Sequence, residues 1–179
     1  MTTRILVVDD EPDLEALIQQ KFRHQVRDGA INFLFARDGI EALNVLEKNQ
    51  DVDLVVTDIN MPRMDGLSLL QKLQEGDEKL STIIVSAYGD ITNIRTAMNR
   101  GAFDFLTKPI DFTDFEATIA KTIRHVGALR EARRRQAEAE RAHASLSRYF
   151  SPNLAERLAS DADALDLAGR PRVLVARTE

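Results

Sequence analysis

The feature that most constrains the fold is a set of short apolar runs, each of which ends abruptly in a polar or charged residue. The clearest run is Leu54-Val55-Val56, which ends at Asp58 before a loop rich in Pro, Met, Asp and Gly. Other runs end in the acid pair Asp9-Asp10, in Ser86 and in Lys108. Apolar runs of this length are typical of strands that are covered on both faces of a parallel sheet.

Helical patterns separate these runs. After Pro12, a residue type that suits the first turn of a helix, apolar residues recur with helical spacing as far as Phe22. The predicted strands are residues 4–9, 31–36, 54–57, 82–86 and 102–106, and the fourth predicted helix covers 91–100 and ends at Gly101. Five β–α alternations with short loops predict an α/β fold with a doubly wound parallel sheet.

The carboxyl ends of parallel strands share one edge of the sheet, where open α/β folds bind ligands and carry out chemistry. The sequence therefore predicts a crevice that holds carboxylates, one hydroxyl and one ammonium. Each group also has a structural interpretation: Asp58 as a strand end, Asp9-Asp10 as a helix-start pair, Ser86 as a cap and Lys108 as a surface lysine. Their joint occurrence at four strand ends favours a functional crevice.

Composition excludes several classes of function. The chain has no cysteine, so it holds neither disulfides nor thiolate metal sites, and we expect a cytoplasmic location. No apolar run of eighteen residues or signal-peptide segment occurs, which predicts no membrane association. Residues 1–111 carry 12 Lys/Arg against 19 Asp/Glu, and this acidic balance argues against direct binding of nucleic acid. The run Arg133-Arg134-Arg135 is better explained as a solvated helix face.

The strand-end residues resemble those of the receiver domain of bacterial response regulators in two-component systems. The motifs that carry the resemblance are Asp9-Asp10, Asp58 with Met61-Pro62 and Asp65-Gly66, Ser86-Ala87, and Lys108-Pro109. The resemblance covers about residues 4–125, and segment 101–109 is most similar to the nitrogen-regulation subgroup. It implies a receiver domain over 1–125, a flavodoxin-like (βα)5 fold with strand order 2-1-3-4-5, and structural roles for Gly66 and Pro109.

The resemblance also implies the chemistry of the crevice. Asp58 would accept a phosphoryl group from a histidine kinase, since a carboxylate can form an aspartyl phosphate. Mg²⁺ would be held by Asp10, Asp58 and the backbone carbonyl of Asn60, with Asp9 in support; such hard oxygen ligands suit this ion. Asn60 also occupies a position that tunes the rate of phosphate hydrolysis in the family.

The remaining residues of the motif have implied roles in charge balance and switching. Lys108 would pair with Asp58 or with a phosphate oxygen, and the family places a cis peptide bond before Pro109. Ser86 would donate its hydroxyl to the phosphoryl group. Phe105 corresponds to an aromatic residue whose rotamer reports the phosphorylation state, with a simple core role as the alternative. Tyr88 is a second rate-tuning position.

The family assignment predicts a switch and not a conventional enzyme, with at most self-phosphorylation from small donors and slow autodephosphorylation. Two alternatives would use the same sheet, a phosphatase and a flavodoxin-like binder. An aspartate-nucleophile phosphatase would need a second acid two residues after Asp58, where Asn60 stands. A flavodoxin-like dinucleotide binder would need a glycine-rich loop after the first strand, and none follows there.

The fifth predicted helix continues well beyond the length that a receiver needs. From Phe112 to about Arg148 the chain contains no proline and one glycine. Small and apolar residues recur at heptad-like steps along its second half: Ala132, Ala139, Ala142, Leu146 and Tyr149. We predict an extended helix over 112–150 that forms a parallel dimeric coiled coil and makes the protein a homodimer; a long single helix is the alternative.

The last predicted region is a short tail over 151–179. Segment 147–158 resembles the connector that precedes the catalytic domain of class III nucleotide cyclases. In those enzymes a following strand carries a metal-binding aspartate, but here Val173-Leu174-Val175-Ala176 is followed by Arg177. The tail is therefore interpreted as a remnant or truncated start of an output domain. The alternative function is a regulatory fragment of a receiver-linked nucleotide cyclase whose catalytic domain is absent.

Overall fold

The computed structural model describes residues 2–76 and 80–149. Five parallel strands form one sheet in the order β2-β1-β3-β4-β5. The strands are β1 (Thr3–Val8), β2 (Ile31–Ala36), β3 (Leu54–Asp58), β4 (Ser81–Ala87) and β5 (Asp104–Lys108). This is the flavodoxin-like order that the resemblance implied, so the predicted fold class is confirmed.

Six helices connect and flank the strands in the described ranges. They are α1 (Pro12–Lys21), α2 (Arg23–Arg27), α3 (Gly39–Lys48), α4 (Gly66–Glu75), α5 (Ile91–Asn99) and α6 (Phe112–Tyr149). Aspartates at 38, 65 and 90 accept hydrogen bonds from first-turn amides of α3, α4 and α5, which satisfies groups that a helix leaves unpaired.

The short helix α2 was not predicted as a separate element. The backbone departs from helical geometry at Phe22 (φ −97°, ψ 14°) and then resumes as α2. The Phe22 side chain is buried and makes edge-to-face contacts with Phe33 and Phe115, at centroid distances of 5.4 and 5.6 Å. The apolar pattern in the sequence predicts that Phe22 is buried, but it does not predict that the helix is interrupted there.

The two faces of the sheet are covered by different helices. On one face, alternate strand residues such as Val7 and Val56 pack with Ile18 of α1 and with Phe115 and Ile119 of α6. On the other face, the intervening residues pack against α3 and α4 around Ala42, Leu69 and Leu73, and against α5 at Ala97. Burial on both faces explains why the central strands are continuously apolar.

The predicted bounds of the fifth strand were wrong by two residues. Residues 102–106 were expected, but β5 begins at Asp104 and ends at Lys108. The amide of Ala102 donates to the carbonyl of Ala97 at 3.0 Å, so Ala102 takes part in the C-terminal capping of α5 and does not yet pair in the sheet. Apolar character alone cannot separate a buried helix end from the start of a strand. The correction makes Lys108 a strand residue, paired in register with Ala87.

The chain divides into two units, residues 1–129 and 130–179. In the first, Phe115, Ile119 and Thr122 of α6 are buried. In the second, Glu131 forms ion pairs with Arg134 and Arg135 along the helix, and residues 132–144 are exposed. Among the described helices, none combines the length and the apolar character that a membrane span needs.

The described residues do not include the predicted tail 151–179, nor the side chains of Leu146 and Tyr149.

Candidate functional site

Asp58 is the last residue of β3 and lies at the carboxyl edge of the sheet. It is buried, with 5% of its surface exposed. The amide of Ile59 donates to the carbonyl of Val85 at 3.0 Å, which holds the chain end against β4. On the other side, β3 pairs with β1, which leads directly into Asp9 and Asp10. Sheet register therefore brings three carboxylates from two strand ends together.

These three carboxylates could hold a metal ion. Asp9, Asp10 and Asp58 each offer one oxygen atom, and the three atoms lie within 4.8 Å of one another. Asp9 and Asp58 are buried, whereas Asp10 is exposed. An all-oxygen, anionic donor set with one open side fits Mg²⁺, which keeps several of its own waters. The backbone amide of Asn60 lies 3.4 Å from Asp58 Oδ1, at the start of the loop that follows β3.

Lys108 brings a positive charge to the same group of carboxylates. Its Nζ lies 2.8 Å from Asp58 Oδ2, 2.8 Å from Glu11 Oε1 and 3.1 Å from Asp9 Oδ2. The side chain is about one-quarter exposed, so the ammonium is partly shielded from water. The peptide bond between Lys108 and Pro109 is cis. The ammonium therefore donates to Asp58 and Glu11, and it faces Asp9 Oδ2 as an ion pair.

Burial and pairing act in opposite directions on the charges of the crevice. Burial lowers the pKa of Lys108, but hydrogen bonds to Asp58, Glu11 and Asp9 outweigh it, so the pKa lies above its ordinary value. Burial raises the pKa of Asp9, and the Lys108 ammonium offsets only part of this effect. Lys108 therefore stays protonated at neutral pH. A second positive charge near Asp9 would offset the remaining cost of burying the charged carboxylate.

Ser86 is fully buried near the end of β4, in register with Thr107. Its hydroxyl donates to Asp90 Oδ2 at 3.3 Å, and Asp90 caps α5. The Ser86 hydroxyl is thus hydrogen-bonded to the N-cap residue of α5.

The other predicted residues lie around this crevice. Phe105 is 41% exposed, which contradicts the alternative that it is a core residue. Tyr88 is 89% exposed in the loop after β4. Gly66 begins α4, and an added Cβ there would lie 2.1 Å from the carbonyl oxygen of Asp58. Only glycine allows the helix to approach the acidic strand end this closely.

Sequence reasoning missed three features of the site. Glu11 was seen only as part of an acidic run, although it binds Lys108 as closely as Asp58 does. Asp90 had no assigned role. The third feature is the pairing of Asp38 with Arg63, in which Nε lies 2.7 Å from Oδ2. Glu11 could have been found from its position one residue after the acid pair. Asp90 stands only four residues after Ser86, but its contact with the Ser86 hydroxyl depends on how the loop between them folds, and the Asp38–Arg63 pair joins two separate loops.

The fold and the acidic, lysine-containing strand edge define the class as a flavodoxin-like domain. Residues 5–120 match the response regulator receiver domain family, and the chain belongs to this family. Receiver domains are phosphoacceptors and generally not enzymes; they bind Mg²⁺ through acidic residues and interact with histidine kinases. This confirms the family resemblance and the predicted place in signal transduction.

Two curated relatives illustrate the match. The chain is 31% identical over 121 residues to sporulation initiation phosphotransferase F of Bacillus subtilis, covering 68% of this chain and 94% of the relative. It is 35% identical over 123 residues to the DNA-binding transcriptional regulator NtrC of Proteus hauseri, covering 68% of this chain. In the second case the match spans only 24% of the relative, so this chain corresponds to one part of that longer regulator.

Solved structures show the same relationship. A response regulator receiver domain protein from Clostridium thermocellum aligns with a TM-score of 0.60 at 30% identity, covering 71% of this chain and 98% of that one. NtrX from Brucella abortus aligns with a TM-score of 0.64 at 29% identity, covering 74% of this chain and 29% of NtrX. The shared part is the receiver fold.

Proposed function

We propose that this chain is a phosphorylation switch of a two-component system and that Asp58 is its phosphoacceptor. The observation that carries the proposal is the contact between Lys108 Nζ and Asp58 Oδ2 at 2.8 Å, beside two further aspartates. Asp58 is a buried strand-end carboxylate with an ammonium on one side and an oxygen-lined cation site on the other. Phosphoryl transfer depends mainly on such positioning and neutralisation of charge.

In the proposed reaction, an oxygen of the Asp58 carboxylate attacks the phosphorus of a phosphohistidine on a histidine kinase. The P–N bond breaks, the imidazole leaves with its electron pair, and Asp58 becomes an acyl phosphate. With a small donor such as acetyl phosphate, a P–O bond breaks and acetate leaves. Lys108 exchanges a carboxylate partner for a phosphoryl oxygen, which balances the charge on the transferred group.

Asp10, Asp58 and the backbone carbonyl of Asn60 would hold Mg²⁺, with Asp9 in support. When bound, the ion supplies positive charge to the phosphoryl oxygens. Asn60 and Tyr88 are proposed to set how fast the acyl phosphate hydrolyses. The protein turns over slowly by this route and is not a conventional enzyme. We place the reaction in the cytoplasm.

The switch is proposed to start at Ser86. Its hydroxyl leaves Asp90 and donates to the phosphoryl group, and Phe105 turns into the space that this movement vacates. Because Asp90 caps α5, the exchange acts directly on the surface formed by α5, β5 and the first turns of α6. A local change in charge thereby biases a two-state element.

The output is proposed to pass through the helix over 112–150, which pairs with a second copy as a parallel coiled coil. The exposed small residues at heptad-like steps and the charged pairs along the helix support this part of the proposal.

Labelling tests the phosphoacceptor. The protein is incubated with acetyl phosphate and Mg²⁺, and intact mass is measured for wild type, Asp58→Asn and the control Asp65→Asn. Asn at position 65 retains an oxygen that can cap α4, so this variant keeps the fold of the loop. We expect the mass of one phosphoryl group on wild type and control, and none on Asp58→Asn. Equal labelling of all three proteins would overturn the assignment.

Light scattering tests the dimer. Ala139 lies on the predicted seam and Ala137 lies opposite it, and both are exposed in the single chain. A glutamate at position 139 would place like charges on each other across the seam, so we expect Ala139→Glu to weaken dimerisation at least about 10-fold. Ala137→Glu should leave it unchanged. A wild-type protein that is monomeric at tens of micromolar would exclude the coiled coil.

A further inference from the structure

Arg63 has an unusual backbone conformation in the loop that follows β3. Its φ is +62°, and it is the one non-glycine residue with positive φ in the described ranges. This left-handed conformation brings the Cβ of an L-residue close to the following carbonyl, so it normally favours glycine. The loop contains Asn60 at its start and leads into Gly66, which packs on the Asp58 carbonyl. An arginine here requires a compensating interaction.

The compensating interaction is the contact of Arg63 with Asp38. Asp38 is 2% exposed, and its Oδ1 accepts from the amides of Ile40 and Glu41 at 2.9 and 3.0 Å. Its Oδ2 receives Nε of Arg63 at 2.7 Å and also a terminal guanidinium nitrogen. Burial raises the pKa of Asp38, but the amides and the guanidinium outweigh burial and lower it. The carboxylate is therefore charged, buried and bound on both oxygens.

Two further contacts join the same two segments. The amide of Gly39 donates to the carbonyl of Met64 at 3.1 Å. The Met64 side chain lies against Gly39 so closely that an added Cβ would be 2.6 Å from Met64 Cγ. Two consecutive residues of the loop after β3, Arg63 and Met64, thus contact two consecutive residues at the start of α3, Asp38 and Gly39. The far end of the loop is held by the amide of Gly66, which donates to the carbonyl of Ile59 at 2.9 Å.

We propose that Arg63 is a positioning residue for the phosphoacceptor site: through Asp38 it holds the loop that presents Asn60 to the cation site beside Asp58. Arg63 touches none of the reacting groups in this scheme. A guanidinium is suited to the task because it presents two nitrogens to one carboxylate in a fixed geometry, whereas an ammonium is a single point charge. The effect on the cation site rests on the proposed function, whereas the attachment of the loop to the start of α3 does not.

The first test measures the loop without metal. Hydrogen exchange of the Gly39 and Gly66 amides is followed in wild type, Arg63→Gly, Arg63→Lys and Asp38→Asn, all in EDTA. Glycine suits the left-handed backbone, so Arg63→Gly is expected to remain folded. We expect about 10-fold faster exchange at both amides in Arg63→Gly and Asp38→Asn, and partial recovery in Arg63→Lys. Exchange within twofold of wild type in Arg63→Gly would overturn the proposal.

The second test measures Mg²⁺ binding by amide chemical shifts. We expect the dissociation constant of Arg63→Gly to rise about 3- to 10-fold, and the double variant Arg63→Gly/Asp38→Asn to be no weaker than the single ones. Arg4→Ala is the control, since it removes another arginine–aspartate pair (2.8 Å to Asp51) outside the loop; it should change neither measurement. An unchanged Mg²⁺ affinity in Arg63→Gly overturns the positioning role. If wild type bound no Mg²⁺ and took no phosphoryl label, the proposed function would fail. The exchange data would still show whether Arg63 and Asp38 hold the loop against the start of α3.

Discussion

The hydroxyl of Ser86 lies 3.3 Å from Asp90 Oδ2, and the same carboxylate group caps α5. The oxygen that Ser86 contacts also accepts from Asn93 Nδ2 at 2.8 Å. One acidic residue therefore links the hydroxyl at the end of β4 to the first turn of the next helix. If the hydroxyl is drawn toward a phosphoryl group, the start of α5 loses one of its contacts.

This link predicts the behaviour of Asp90→Ala. Loss of the cap should lower the free energy of unfolding by about 1 kcal/mol, measured by denaturant titration. The released Ser86 hydroxyl should also raise the rate of labelling by acetyl phosphate several-fold. Asp111→Ala is the matched control, since Asp111 accepts from the amides of Thr113 and Asp114 near the start of α6. It should lose comparable stability with no gain in rate; equal rates in both variants would contradict the link.

In the proposed reaction, Glu11 would compete with the phosphoryl group for Lys108. Its Oε1 lies 2.8 Å from Nζ, and it adds a negative charge where an anionic donor must approach. We expect Glu11→Gln to accelerate labelling by acetyl phosphate about 3- to 10-fold at low salt, with a smaller gain at high salt because ions screen exposed charges. Glu15→Gln makes the same charge change at a residue that hydrogen-bonds Gln19. A rate gain of the same size in Glu15→Gln would show that net charge alone is responsible.

The buried carboxyl of Asp9 predicts a pH dependence of stability. Burial raises its pKa above the ordinary 3.8, so the folded protein holds this proton more tightly than the unfolded chain does. Asp9 therefore destabilises the fold increasingly as pH rises from about 3.8 through its folded pKa. In metal-free buffer, Asp9→Asn should raise the free energy of unfolding at pH 7 by on the order of 1 kcal/mol, and by nothing near pH 3.

The control for this measurement is Asp13→Asn, an exposed aspartate of α1. It should change stability by less than about 0.5 kcal/mol across the same range. A stability gain in Asp9→Asn that persisted unchanged at pH 3 would mean that a cause other than ionisation is at work. With Mg²⁺ present the sign should reverse, because the variant loses a carboxylate that is proposed to support the ion.

Gly66 and Gly127 predict opposite responses to alanine. At Gly66 the new Cβ would meet the Asp58 carbonyl oxygen at 2.1 Å, so Gly66→Ala should destabilise the protein by about 3 kcal/mol or more and abolish labelling. At Gly127, inside α6, the added Cβ would meet no atom within 4 Å apart from its chain neighbours and the backbone of its own helix. Gly127→Ala should therefore stabilise the protein by about 1 kcal/mol through helix propensity. Thermal unfolding of both variants checks the pair, and a tolerated Gly66→Ala would contradict the close approach.

Much of the fold could be predicted because the pattern is local and repeated. Apolar runs such as Leu54-Val55-Val56 are continuous because both faces of β3 are buried, and each run ends where the sheet ends. Element bounds were less certain at β5, since Ala102 and Phe103 are apolar whether they complete α5 or begin a strand. The break at Phe22 was missed because a buried aromatic residue fits the apolar stripe of a helix whether the helix continues through it or is interrupted there.

The parallel sheet and the polar residues at its strand ends could be predicted from the amino-acid pattern alone, and motif resemblance indicated the receiver family. The contacts between polar side chains required the folded structure: Glu11 with Lys108, Ser86 with Asp90, and Arg63 with Asp38. The physical reason is that periodicity reports which face of an element is buried, and so is a property of neighbours along the chain. Ion pairs between loops depend on the register and twist of the whole sheet, which bring together residues as distant in sequence as 11 and 108.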